Sequence, residues 1–255
     1  MIKGRFAGLA GMITGMRGLG EHLLAQGSAT PFLNVSSTYM YNSLNDGQQQ
    51  VIKIGEMISK YGLPNKYGPF VFTFTGGGNV TNGALEIFKL LPHEFISPDD
   101  LPKLQNNFDN HKVYGVICKT QNIVEHKENG TQFEEKHYFD YPEEYQPVFH
   151  EKVAPYTSVL VNGMYWDHRY PRLLTIEQMK TLSIQYPQAM LALFDISCDP
   201  EGAVEFLKKT TNTDLPYFTY NPDVDEIVDI IGMKYEHQFP EILQFVCVLT
   251  VVFVH

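Results

Sequence analysis

The feature that most constrains this chain is one run, Phe70–Leu91, in which an apolar stretch, three consecutive glycines and an apolar stretch of different period follow one another. Phe70–Thr75 is rich in aromatic and β-branched residues and reads as a strand. Gly76, Gly77 and Gly78 break it, and Ala84, Leu85, Ile87, Phe88 and Leu91 then recur along one helical face. Strand, glycine turn and helix in that order form the opening unit of an α/β fold that takes a phosphate at a helix N-terminus. Backbone amides and the positive end of the helix dipole face the ligand there, and a side chain on the turn would hold it off.

The spacing is a variant of the dinucleotide fingerprint. Gly76 permits the tight turn and Gly78 the close approach, but the third glycine position holds Thr81, and the next glycine is Gly83. No Gly-Lys-Ser/Thr follows, so a dinucleotide is expected rather than a triphosphate. Cofactor choice is read about 20 residues past the turn, where an acidic side chain holds the ribose of NAD. That position is near Ser97, which cannot repel a 2′-phosphate, so NADP(H) is favoured over NAD(H). Glu94, Asp99 and Asp100 lie within a slip of register and would argue the other way.

Around this unit, short strands are expected at Glu94–Ile96, Val113–Ile117, Ser158–Asn162 and Ala189–Asp195, with helices at Gln48–Lys60, Thr175–Leu182 and Ala203–Lys209. The alternation predicts an α/β, doubly wound parallel sheet of Rossmann type. Upstream, Gly8, Gly11, Gly15 and Gly18 recur at three and four residues, a bare stripe that predicts close backbone contact with another element. Residues 1–62 read as an interdomain helix and connecting segment, and 63–232 as the nucleotide domain, with a solvated insertion at about 121–151. Residues 233–255 form an atypical apolar tail. Within it Ile242–Val254 is too short for a bilayer at roughly 20 Å of helix, and its valines favour a buried strand.

Composition excludes several classes. A formal charge of −10 opposes a general nucleic-acid binder. Cys118, Cys198 and Cys247 make no CxxC pair, and the nine histidines show no ligand spacing, so no metal site and no disulfide framework are expected. No membrane association is expected either.

The blocks GRFAGLAGM at Gly4–Met12, FTFTGGGNVTNGA at Phe72–Ala84, APYTSVLVNGMYWDHRYPRLLT at Ala154–Thr175 and FDISCDPEGAVEF at Phe194–Phe206 carry a more specific signal. Together they resemble the lysine-ketoglutarate reductase part of bifunctional aminoadipic semialdehyde synthase, and more distantly alanine dehydrogenase. The resemblance implies reductive condensation of L-lysine with 2-oxoglutarate to saccharopine, using NADPH. It implies that Gly76, Gly78, Asn79, Val80 and Gly83 form the cofactor turn, that Asn162 and Tyr165 lie beside the nicotinamide, and that Asp195 and Ser197 line the cleft. The family's proton-handling lysine and histidine precede the block that begins here at Gly4, so catalytic residues are unknown. The expectation is a fold lacking most of its N-terminal substrate domain, and a non-catalytic NADP(H)-binding fragment is the alternative. An intracellular setting is expected, mitochondrial if animal-like and otherwise cytoplasmic. A homo-oligomer is left open.

Overall fold

In the computed structural model, residues 2–212, 214–228 and 246–250 are described. The strand β1 (Val71–Thr75) is buried along its whole length, the condition of a parallel strand with helices on both faces. Its side chains alternate between two cores. Phe72 and Phe74 join one apolar cluster, and Val71 joins the other. The same alternation runs through β3 (Val113–Cys118), β6 (Val159–Asn162) and β7 (Ala192–Asp195), where Val159, Val161, Ala192 and Phe194 face the first core and Leu160 and Leu193 the second.

With β2 (His93–Phe95) at one edge, and with β8 (Phe218–Asn221), β9 (Glu226–Val228) and β10 (Val246–Thr250), the sheet order is β2-β3-β1-β6-β7-β10-β8-β9. β2 through β10 in that order are parallel, and β8 and β9 close the far side antiparallel. The expected α/β, doubly wound parallel sheet is therefore present. The antiparallel β8–β9 hairpin was not anticipated, and β10 puts the valine-rich stretch into the sheet as a strand. The rest of Ile242–Val254 lies outside the described residues.

Three long helices cover the first core. α1 (Ile2–Ala25) buries Met12, Met16, Leu19 and Leu23 at helical spacing against the sheet. α2 (Leu44–Tyr61) begins four residues before the expected Gln48 because the Ser43 hydroxyl caps it, accepting from Asp46 N–H at 3.2 Å. α3 (Asn79–Phe88) follows the glycine turn. Glycine costs about 1 kcal/mol per helical position, and each fully buried Leu or Met returns about 1.5–3 kcal/mol, so packing outweighs poor propensity in α1. Within the bare stripe, Gly8 makes the expected backbone contact and Gly15 packs on a side chain. A Cβ on Gly8 would meet the backbone of Val80 and Ala84 in α3, and one on Gly15 would meet the Phe194 ring at 2.5 Å.

On the second face lies the helix Ile176–Gln185, capped reciprocally by Thr175 and Gln178. The expected helix at Ala203–Lys209 is absent. Val204 instead bridges Leu174, Ala203 O accepts from Leu173 N–H and Leu174 N–H, and the Arg172 guanidinium takes the carbonyls of Glu201 and Gly202. Backbone groups committed to another segment cannot close an i to i+4 ladder. The stretch at 121–151 is more structured than a solvated excursion. β4 (Val124–His126) and β5 (Tyr145–Pro147) pair antiparallel, and Tyr138 and Tyr145 pack edge-on at 5.1 Å between ring centroids.

Candidate cofactor site

The connections after β1 run first to one side of the sheet, reaching β2 and β3, and then cross to β6 and β7 on the other. In open α/β sheets the crevice at such a reversal, at the carboxyl ends of the strands, is where ligands sit. Here it opens between β1 and β6. Register aligns the strand ends in one row, with Thr75 opposite Cys118 on one side and Asn162 on the other, and Asn162 opposite Asp195.

The turn after β1 fits a phosphate. Gly76 has φ +89°, and a Cβ there would lie 2.8 Å from Gly163 O in the turn after β6. A Cβ on Gly163 would meet Thr81 Oγ1 at 2.7 Å. The two turns are thus nested so closely that neither tolerates a side chain at its contact point. Thr81 donates its hydroxyl to Thr75 O at 3.0 Å, and Gly163 N–H donates to the same carbonyl at 3.1 Å. Gly77 and Gly78 differ: no atom lies within 4 Å of where their Cβ would be, both are exposed, and Gly78 caps α3 without any side-chain acceptor. The Gly77–Gly78 backbone leading into α3 is therefore open to a ligand, the arrangement that receives a pyrophosphate.

Beneath the turn runs a buried polar chain. Thr75 Oγ1 donates to Asn162 Oδ1 at 2.8 Å, and Asn162 Nδ2 donates to Asp195 Oδ2 at 2.9 Å. The other carboxylate oxygen, Oδ1, accepts the Ser197 hydroxyl, Ser197 N–H at 3.0 Å and Cys198 N–H at 3.3 Å. Burial raises the Asp195 carboxyl above its ordinary value, and these donors pull against that shift by stabilising the anion. Since Asn162 Oδ1 also accepts Met164 N–H at 3.4 Å, the amide is oriented from both ends. Three strands are tied together at the floor of the crevice.

The expected residues divide between this crevice and other places. Gly76, Gly78, Asn79, Val80, Asn162, Asp195 and Ser197 gather at or beside it. Tyr165 follows Asn162 on a loop and is 83% exposed. Gly83 is one turn into α3, where a Cβ would lie 3.1 Å from Leu9 N of α1, so its bareness serves helix packing. Ser97 caps the 3-10 helix Pro98–Asp100 beyond β2, and β3 separates that edge strand from β1. Thr75, expected only as the end of the strand, is central. Its signal was the polar residue closing an apolar strand, repeated in Asn162 and Asp195.

Elsewhere the β4–β5 hairpin brings His126, His137 and Glu144 together, their polar atoms within 4.8 Å of one another. The spacing of these histidines in sequence gave no hint of it. His126 Nδ1 accepts Glu128 N–H at 3.0 Å, which places the proton of the neutral ring on Nε2, directed at Glu144 Oε2 3.2 Å away. That tautomer makes a hydrogen-bonded pair and leaves His126 with no lone pair facing the cluster centre.

No protein-family model matches the chain. Curated relatives do. An alpha-aminoadipic semialdehyde synthase of Arabidopsis thaliana is 44% identical over 237 residues, covering 89% of this chain and 22% of the relative. Mitochondrial alpha-aminoadipic semialdehyde synthases of Mus musculus and Bos taurus are 34% and 35% identical over 241 residues, covering 89% of this chain and 26% of each relative. The chain thus spans about a quarter of the length of these proteins or less. Among solved structures, an L-alanine dehydrogenase aligns with a TM-score of 0.33 at 14% identity, covering 82% of this chain and 48% of that one, a likeness too loose to carry an inference.

Proposed function

Because the chain is homologous over 89% of its length to a segment of the alpha-aminoadipic semialdehyde synthases, we propose that it is the NADP(H)-binding part of a reductase that condenses L-lysine with 2-oxoglutarate to saccharopine. The observation that carries the reading is the open Gly77–Gly78 turn at the start of α3, set at the reversal point of a parallel sheet over the Thr75–Asn162–Asp195 chain. Amides of the turn hold the pyrophosphate, and the contact of Gly76 with Gly163 keeps the β1 and β6 loops at fixed separation. Asn162 is fully buried and spends its carbonyl on Thr75 and Met164, so it acts as a positioning residue. Bound nicotinamide supplies a hydride to the imine carbon formed from the lysine ε-amine and the ketone of 2-oxoglutarate with loss of water. The residues that move protons in that condensation are not assigned to this chain. By analogy with the mouse and cattle proteins, a mitochondrial setting is proposed for an animal source.

A second reading is that the chain binds NADP(H) without turnover, favoured by a crevice floor whose polar groups, Thr75, Asn162 and Asp195, are spent on one another. Two measurements separate these. NADPH fluorescence titration of the chain reports binding, which both readings require. Oxidation of NADPH dependent on both lysine and 2-oxoglutarate, assayed with the chain extended to the length of its relatives, supports the reductase. Binding with no oxidation above background sinks that reading and leaves the second.

A further inference from the structure

The strand order changes which residue stands beside the ribose. In a sheet where the second strand neighbours the first, the side chain that reads the 2′ position lies at the carboxyl end of the second strand. Here the second strand in sequence, β2, is at the edge, and β3 occupies the place next to β1. Cys118 pairs with Thr75, so the residue that follows it stands level with Gly76, at the first position of the glycine turn. That residue is Lys119.

We propose that Lys119, and not Ser97, is the group that selects a 2′-phosphorylated dinucleotide; the inference rests on the dinucleotide reading of the Gly76–Gly78 turn. Lys119 is exposed and forms no ion pair among the described residues. Lys103 and Lys112, by contrast, are each bound to a carboxylate, Asp100 and Glu94. Its backbone is held in place, since Lys119 N–H donates to Asn122 Oδ1 at 2.9 Å and Lys119 O accepts Asn122 N–H at 2.9 Å. The stretch Cys118-Lys119-Thr120-Gln121-Asn122 contains no carboxylate that would hold the two ribose hydroxyls of NAD or repel a phosphate. Alternation along β3 adds a geometric point. Tyr114, Val116 and Cys118 face the second core, while Ile117 is exposed on the α3 side, and Lys119 continues the Ile117 series. It therefore leaves the strand on the same side of the sheet as the amides of α3 that receive the pyrophosphate. A flexible ammonium presents a point charge suited to a phosphate dianion.

The test is paired titration of the full chain with NADPH and NADH, with 2′,5′-ADP as competitor, for wild type and for Lys119→Asp, Lys119→Arg and Ser97→Ala. Thermal melts confirm folding, which an exposed side chain leaves intact. Loss of a charge-assisted contact is expected to weaken NADPH by about ten- to hundredfold in Lys119→Asp while NADH changes by less than about threefold. Lys119→Arg should keep most of the preference, and Ser97→Ala all of it. The wild-type preference should also shrink as salt is raised from low to high ionic strength. Equal weakening of both nucleotides in Lys119→Asp, or a preference abolished by Ser97→Ala, overturns the assignment. Wild type that binds neither nucleotide overturns the dinucleotide reading itself, and the role of Lys119 falls with it.

Discussion

Replacing Gly8 or Gly83 with alanine should destabilise the protein even though alanine is the better helix former. The two glycines meet at one crossing. A methyl on Gly8 would lie 2.6 Å from Ala84 N and closer still to Val80 O, and one on Gly83 would lie 3.0 Å from Arg5 C, where ordinary contact is 3.4–4 Å. Every obstacle is backbone, so no rotamer change relieves it, and α1 and α3 must part by about 1 Å. Overpacking of this kind costs about 3 kcal/mol, the upper end of the usual range, against a propensity gain of about 1 kcal/mol, leaving a net loss of about 2 kcal/mol for each variant. Because one displacement serves both methyls, the double variant should fall short of the summed losses by about 1 kcal/mol or more. Urea unfolding followed by circular dichroism measures all three. The comparator is Gly47→Ala in α2, where the nearest atoms are the Ile13 Cδ1 methyl and the Tyr41 ring at 3.3 and 3.4 Å, and a change within about 0.5 kcal/mol is expected. Since α3 begins at the glycine turn, NADPH affinity should drop in the two crossing variants and hold in Gly47→Ala. A neutral or stabilising Gly8→Ala, or strict additivity of the pair, would refute the backbone-contact argument.

Three shorter predictions concern the crevice and its surroundings. Asn162→Ala leaves the buried Thr75 hydroxyl and one Asp195 oxygen without partners, and should cost about 2–4 kcal/mol in urea unfolding; a loss under about 1 kcal/mol would mean the polar chain is not holding the strands. Asp195 has a folded value raised above the ordinary 3.8, so its stabilising contribution is complete below that pH and is lost as pH rises through the folded value. The stability of wild type relative to Asp195→Asn should accordingly decline as pH is raised from the acid range, and a difference independent of pH would contradict the sign. Burial pushes the Cys118 thiol up to about 12, so alkylation at pH 8 followed by peptide mass spectrometry should find it unmodified until urea unfolds the chain. Labelling at the rate of a free thiol in the native protein would count against the burial of β3.

Local chemistry was legible and long-range order was not. β1, the glycine turn and α3 could be read because each depends on residues within a few positions of one another, and the structure puts them where Phe70–Leu91 indicated. The glycine stripe was legible for the same reason: a helical face without side chains has no use except close approach, and Gly8 makes it against α3. The Ala203–Lys209 helix failed because apolar spacing there served a bridge to Leu174, a partner some 30 residues distant that no local pattern announces. Assignment of the 2′ position to Ser97 rests on a local count of the same kind. Counting about 20 residues past a glycine turn locates a ribose contact only when the next strand in sequence is also the next strand in space. In this sheet β3 inserts between β2 and β1, so the count arrives at an edge, while the strand beside β1 ends about 20 residues later, just before Lys119. The proposed preference for NADP(H) then rests on different grounds, a residue able to attract a phosphate in place of one merely unable to repel it.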